Sequence, residues 1–278
     1  MGQAGAGVAL AFLAAVVSAS ESGQRLAPTY SNATIVNLAS GRAGDLAPNT
    51  LAAIYGRELS AGTRARDAAD LQAGLLPYVL PGTGVTVKVN GLLAGVEYAS
   101  PEVVVFVVPA ELLPGPAQVV LTRNALSGPV VRVELRAAAP ALMPYEEGWA
   151  LARHAGDLSW ITAIAPARPG GEVLLYATGL GQTVPPQLNR RVVSERSAIE
   201  GLAGFQVVVG EEVLDPSQVV YAGVTPGMAG LYEIRFVLPR SAGEDPEIGI
   251  QLGDREGRRR LRVYTRVQPG AAPARSID

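Results

Sequence analysis

Val85-Thr86-Val87-Lys88-Val89-Asn90-Gly91 is the stretch that decides the fold. Its apolar and polar residues alternate with a period of two, so Val85, Val87 and Val89 share one face of an extended strand and Thr86 and Lys88 the other. Asn90-Gly91 then supplies the two residue types that tolerate positive φ in a tight hairpin turn. Outward from there, the chain runs through Val96-Glu97-Tyr98-Ala99 to Val105-Phe106-Val107-Val108-Pro109. The same order returns as Phe205-Gln206-Val207-Val208-Val209-Gly210, Val219-Val220-Tyr221-Ala222 and Ile234-Arg235-Phe236-Val237-Leu238-Pro239. Upstream of the copies stand Ala53-Ile54-Tyr55-Gly56 and Leu174-Leu175-Tyr176-Ala177-Thr178-Gly179. The anchors recur at offsets of 121 (Tyr55 to Tyr176), 123 (Tyr98 to Tyr221) and 130 (Pro109 to Pro239) residues. These far exceed the roughly 20–50 residues of a solenoid unit, so the chain is a duplicated domain.

Short Val-rich runs bounded by Gly, Pro, Asn and Ser read as strands at 51–55, 85–90, 96–99, 103–108, 118–122 and 130–135 in the first copy. The second copy repeats the plan at 173–176, 205–209, 212–214, 219–221, 232–237, 247–252 and 261–267. Strands without intervening helices make the fold class all-β, with two tandem immunoglobulin-like antiparallel β-sandwich domains, 33–139 and 140–268. Residues 20–32 read as an unpaired polar lead-in, 269–278 as an unstructured Pro/Ala-rich tail, and Ala137 to Pro144 as a semi-rigid joint between halves that each fold alone. Tyr55 and Tyr176 take structural roles at matched strand ends, their hydroxyls expected to reach backbone partners. Two corresponding insertions break the strand rhythm: 64–77, with one or two helical turns, and 189–202, which is rich in charge.

At 278 residues each copy is large enough to bury its own core. A formal net charge of −2 gives no field that would draw nucleic acid or an anionic membrane. The apolar run AGAGVALAFLAAVV at 4–17, followed by Ser18-Ala19-Ser20, has the form of a signal peptide, 1–19, with cleavage before Ser20. Met1-Gly2-Gln3 carries no Lys or Arg, leaving only the terminal amine as the positive end of that signal. Its 14 residues fall short of the roughly 20 needed for a spanning helix, so no permanent membrane anchor is expected. The absence of cysteine rules out disulfides and a thiol for lipid attachment.

Assembled in order, these phrases resemble an uncharacterised secreted family, the Solibacter-type C-terminal domain. The likeness rests on Ala47-Pro48-Asn49-Thr50 before Ile54-Tyr55-Gly56, the Val85 to Gly91 strand, Tyr98-Ala99-Ser100-Pro101 and Val107-Val108-Pro109. It continues through Pro169-Gly170-Gly171-Glu172, the run from Val173 to Gly181, and Tyr221-Ala222-Gly223-Val224-Thr225-Pro226-Gly227. The resemblance implies export and immunoglobulin-like (IPT-like) sandwiches, and no reaction. The chain departs from the pattern where Glu102 to Val105 stands in place of a Gly-Gln-Ile-Asn type segment, and where Glu211-Glu212-Val213 replaces a Gly-Val-Pro turn.

Catalytic chemistry is sparse. His154 is the single histidine; with Asp157 it could form a base and its orienter, but no Gly-x-Ser-x-Gly elbow supplies a nucleophile. One histidine without cysteine leaves a zinc site short of ligands, no Asp-x-Asp-x-Asp-Gly loop stands out for calcium, and no cofactor is expected. Gly179-Leu180-Gly181 opens like a dinucleotide fingerprint, but Val184 stands at the third glycine and Pro185-Pro186 stops a helix. Arg258-Arg259-Arg260-Leu261-Arg262 reads as a hairpin and a solvated strand start.

The reading is therefore an exported, non-catalytic binding or adhesion module, with an extracellular glycan or an envelope protein as partner. The alternatives are a polysaccharide-active enzyme with an unrecognised carboxylate site, and a passive spacer. Candidate ligand contacts are Arg190, Arg191 and Arg196 on one insertion and Arg64 and Arg66 on the other. Their guanidinium groups can hold a carboxylate or phosphate bidentately, and substituting them should leave the melting temperature unchanged. Trp149 and Trp160, eleven residues apart, are the candidate sugar-stacking aromatics.

Overall fold

The structure, a computed structural model, describes residues 26–257 and 260–266. The expectations for the signal segment at 1–19, the tail at 269–278 and Arg258-Arg259 lie outside the described residues. Within them the chain is all-β, with only short 3-10 turns interrupting the strands, and no helix is long and apolar enough to cross a membrane.

In the first sandwich one sheet runs in the order Ile35–Asn37, Leu51–Tyr55, Val103–Val107, Gly95–Ala99 and Arg64–Ala65. The facing sheet runs Val131–Leu135, Gly115–Arg123, Val85–Val89 and Leu92–Leu93. Every strand-to-strand ladder in both is antiparallel, and Leu46 adds an isolated parallel bridge to Leu135. Val85, Val87 and Val89 point into the core while Lys88 faces solvent, as the alternation requires. The Asn90-Gly91 turn carries positive φ at both residues.

The second sandwich repeats the plan with more strands. Ala141–Leu142, Glu172–Thr178, Tyr232–Val237, Val219–Val224, Ser197–Ile199 and Thr183–Val184 form one sheet, with Ala152–His154 also paired to Glu172–Thr178. Pro144–Glu146, Trp149–Ala150, Leu261–Arg262, Glu247–Leu252, Phe205–Val209 and Glu212–Val213 form the other. One pairing here is parallel, between Trp149 and Arg262. The duplication extends to an irregularity: the strand register shifts between Val96 and Tyr98 in one copy and between Val219 and Tyr221 in the other.

The described part of the lead-in, 26–32, is not unpaired. Thr29 bridges Arg57, and Tyr30 buries its ring in the first core, its hydroxyl accepting from the Leu121 amide and donating to the Pro129 carbonyl at 2.7 Å each. A buried phenol needs such partners, and the segment before Ile35 is drawn into the sandwich to supply it.

A third apolar cluster joins the halves. Leu51, Leu76 and Val107 of the first sandwich pack with Leu174, Tyr176, Ala229 and Leu231 of the second. The strands 51–55 and 172–178 are thus buried on both faces: Ala52 and Ile54 serve the first core and Leu51 the seam, while Val173, Leu175 and Ala177 serve the second core and Leu174 and Tyr176 the seam. Buried hydrogen bonds cross the same boundary. Thr178 Oγ1 accepts from the Leu51 amide at 2.8 Å, and Tyr232 Oη accepts from Asn49 Nδ2 at 3.0 Å. The matched tyrosines part company here, since Tyr176 is buried in the seam whereas Tyr55 is 44% exposed.

The joint is sewn in as well. Ala139 donates its amide to Gly179 at 2.7 Å and accepts from Asn37 Nδ2 at 3.1 Å. Gly179 and Gly181 carry φ of +76° and +78°, and a Cβ at either would collide with the carbonyl oxygens of Ala139 and Ala137. These glycines allow the joint to lie against the second sandwich, which is the physical role of the Gly-Leu-Gly phrase.

Candidate functional site

The two insertions come together, and on each other. Leu75 and Arg191 form an antiparallel bridge, flanked by bonds from the Leu76 amide to the Arg190 carbonyl and from the Val192 amide to the Gly74 carbonyl, both 2.8 Å. Of the one or two helical turns expected within 64–77, a single 3-10 turn, Ala68–Asp70, forms and is capped by the Asp67 carboxylate.

The candidate guanidinium groups have work within this fold. Arg190 donates to the Leu76 carbonyl at 3.0 Å and lies over the Tyr78 ring. Arg191 reaches the Ala73 carbonyl at 3.4 Å. Arg196 pairs with buried Glu233 at 3.3 Å and lies over Tyr221. Arg64 binds Asp70 at 2.9 Å and Asp67 at 3.2 Å, and Arg66 binds Glu97 at 2.6 Å. The tryptophans part: Trp149 stacks on Tyr264 with ring centroids 3.5 Å apart beside the second core, whereas Trp160 lies under the Arg153 guanidinium at 3.8 Å beside the seam. They do not flank one site.

A large concavity lies elsewhere, at one end of the second sandwich. It is a cleft of about 840 Å³, lined by His154, Asp157 and Ser159 from one segment, by Ile164, Pro166 and Arg168 from a second, and also by Glu172 and Thr265. Both segments are braced. Strand 152–154 pairs along strand 172–178, placing His154 opposite Val173. The second segment starts in a turn where Thr162 and Ala165 exchange main-chain bonds at 3.1 Å, and is tied down where Ala167 donates to the Tyr264 carbonyl at 2.8 Å. The His154 ring spans the gap, with Nε2 3.2 Å from the Ala165 carbonyl oxygen. A carbonyl only accepts, so Nε2 carries the proton.

This wiring answers the His-Asp question. Asp157 Oδ1 accepts from both the Ser159 amide (2.9 Å) and the Ser159 hydroxyl (2.7 Å), which fold the loop into a local turn. These donors, with the nearby His154 making a smaller contribution, hold the Asp157 carboxyl below its ordinary pKa, so it is ionised at neutral pH. A serine nucleophile must give its proton to an imidazole nitrogen. Here the hydroxyl donates to the carboxylate and Nε2 to a carbonyl, so neither the Ser159 hydroxyl nor Nε2 is arranged for proton transfer between them. What the cleft does offer is unspent hydrogen-bonding capacity: the side chains of Arg168 and Glu172 make no hydrogen bond or ion pair among the described residues, and Asp157 Oδ2 makes none either.

Arg168, Glu172 and Ile164 carried no signal as site residues in the sequence. Ala163-Ile164-Ala165-Pro166-Ala167-Arg168-Pro169 reads as a connection, and only the reach of His154 to Ala165, eleven residues on, turns it into a wall.

No family model matches the chain, and no curated protein matches it. Among solved structures it is similar to the surface glycan-binding protein PbSGBP-B from Prevotella bryantii, with 12% identity over 85% of this chain and a TM-score of 0.25. It is also similar to domains 5–6 of the S-layer protein SbsC (11% identity, 86% of this chain and 99% of that one, TM-score 0.28). A third likeness is to the plexin A4 extracellular region (14% identity, 88% of this chain, TM-score 0.28). The match spans 43% of the glycan-binding protein and 19% of the plexin.

Proposed function

We propose that this protein is an exported, non-catalytic binding module that presents one recognition cleft on a pair of rigidly coupled β-sandwiches. The observation that carries the reading is the wiring of the cleft, where the groups that could have been catalytic are tied to partners that stabilise the walls, while charged groups around them remain free to meet a ligand. Rigid walls on a packed scaffold suit recognition, because little conformational entropy is lost when a ligand enters. Export rests on the apolar run at 4–17 and its small-residue site, and the Solibacter-type resemblance points the same way.

The test is retention of the purified chain on a panel of insoluble glycans, peptidoglycan and envelope fractions, run beside turnover assays on the same glycans. Retention without turnover supports the module. Reproducible product that a single Asp or Glu substitution abolishes overturns it in favour of an enzyme. One observation favours a second reading, a spacer: the continuous apolar seam fixes the angle between the sandwiches. A spacer would be retained by none of these materials.

A further inference from the structure

We infer that the end cleft takes a neutral, polyhydroxylated ligand, a saccharide unit without acidic groups; the inference rests on the binding-module reading above. Around the cleft stand two carboxylates, Asp157 and Glu172, and one guanidinium, Arg168, none of them ion-paired. A carboxylate accepts hydroxyl protons and a guanidinium donates to hydroxyl oxygens, so adjacent hydroxyls on one ring can satisfy both kinds of group.

The charge pattern discriminates among ligands. An anion entering to meet Arg168 comes against two carboxylates, one of them held ionised by its Ser159 donors. A neutral polyol meets no such repulsion. This separates the cleft from the arginines of the two insertions, whose guanidinium groups could have held a carboxylate or phosphate and are instead occupied within the fold.

The apolar part of the lining suits the same chemistry. Ile164, 45% exposed, with Pro166 and Pro169 forms a C–H surface beside the polar groups. A pyranose has one face of C–H bonds and a rim of hydroxyls, and a site with an apolar wall and a few convergent polar groups matches it. No tryptophan lines the cleft, since Trp149 is stacked on Tyr264 and Trp160 lies under Arg153.

The experiment is isothermal titration of the full chain with neutral hexasaccharides (cellohexaose, xylohexaose, mannohexaose) and with hexagalacturonate as the acidic probe of matched length. Two alterations report on the cleft. Asp157→Asn combined with Glu172→Gln removes the acceptor charge while leaving an oxygen for the Ser159 donors, and Ala165→Trp fills the space from an exposed position. At least one neutral hexasaccharide should bind in the millimolar range or tighter, more strongly than hexagalacturonate, and each alteration should weaken it about tenfold or more without changing the melting temperature. If an alteration unfolds the chain, Arg168→Met, on an exposed position, repeats the test. Absence of neutral binding at millimolar concentration overturns the inference, as does preference for hexagalacturonate. Neutral binding that survives Ala165→Trp overturns the cleft assignment while leaving the binding module standing; retention on protein fractions with no saccharide bound overturns the ligand class alone.

Discussion

Replacing Thr178 by valine tests whether the seam between the sandwiches is a dry, fully bonded interior. Thr178 is completely buried, and its hydroxyl does two things at once: it accepts from the Leu51 amide of the first sandwich at 2.8 Å and donates to the Gly230 carbonyl of the second at 2.7 Å. Valine keeps the shape and removes both bonds, orphaning an amide and a carbonyl beside Leu51, Leu231 and Tyr176. Each orphaned buried group costs about 1–3 kcal/mol, so the substitution should cost about 2–6 kcal/mol, a large share of the roughly 5–15 kcal/mol typical of a native domain.

Urea unfolding, followed by far-ultraviolet circular dichroism and tryptophan fluorescence, is the assay. Trp149 reports from beside the second core and Trp160 from beside the seam. The midpoint should fall with the slope unchanged, which marks a loss of stability without loss of native compactness. Thr86→Val, on the solvent side of the Val85–Val89 strand, is the control and should stay within about 0.5 kcal/mol of the parent. A Thr178→Val loss below about 1 kcal/mol would refute the reasoning, because it would mean that water reaches the freed groups and the seam does not act as core.

Val87→Asp and Val207→Asp each place an unpaired carboxylate where no surface is exposed, and thermal melts should show losses of several kcal/mol or failure to fold, whereas Lys88→Asp should be nearly silent. Tyr232→Phe removes a buried hydroxyl that donates to the Gly181 carbonyl and accepts from Asn49, and should cost about 1–3 kcal/mol by denaturant titration. Arg190→Ala should lower the melting temperature, contrary to what its sequence suggested, because it strips the Leu76 carbonyl of its guanidinium donor; about 1–2 kcal/mol is expected. Burial raises the Glu97 carboxyl above its ordinary value of 4.5, against the opposing pull of Arg66. Its contribution to stability is therefore fully present below that value and is lost as pH rises through the raised one. Glu97→Gln should flatten the stability-versus-pH curve across that window, and a curve unchanged from the parent's would show that Glu97 is solvated.

How much of this was legible in the residues depends on how far each signal had to travel. Alternation in Val85-Thr86-Val87-Lys88-Val89 is local: a strand with one wet face must read this way, and it does. The seam left a signal in the same alphabet, although the expectation of halves that each fold alone passed over it. Leu51-Ala52-Ala53-Ile54 and Val173-Leu174-Leu175-Tyr176-Ala177 are continuous apolar runs, and a strand with no polar alternation has no wet face to offer. Because both runs occupy the same place in their copies, the two equivalent sheets had to be covered on their outer sides, and covering each other was the economical solution. The identity of each contact was not legible. Arg190 finds its acceptor 114 residues away at Leu76, and a guanidinium reads the same in sequence whether it caps a carbonyl or waits for a ligand. The cleft failed to announce itself for a related reason, since its defining bond joins His154 to a main-chain carbonyl, and every residue except its own neighbours offers one. Duplication sharpens the point. Tyr55 and Tyr176 hold matched positions, yet one is exposed on one side and the other lies in the seam beneath Arg153. Two copies of one pattern, joined by a short chain, cannot both meet the same surroundings; after duplication, the joint decides which copy's residues become interior and which remain free to acquire a ligand.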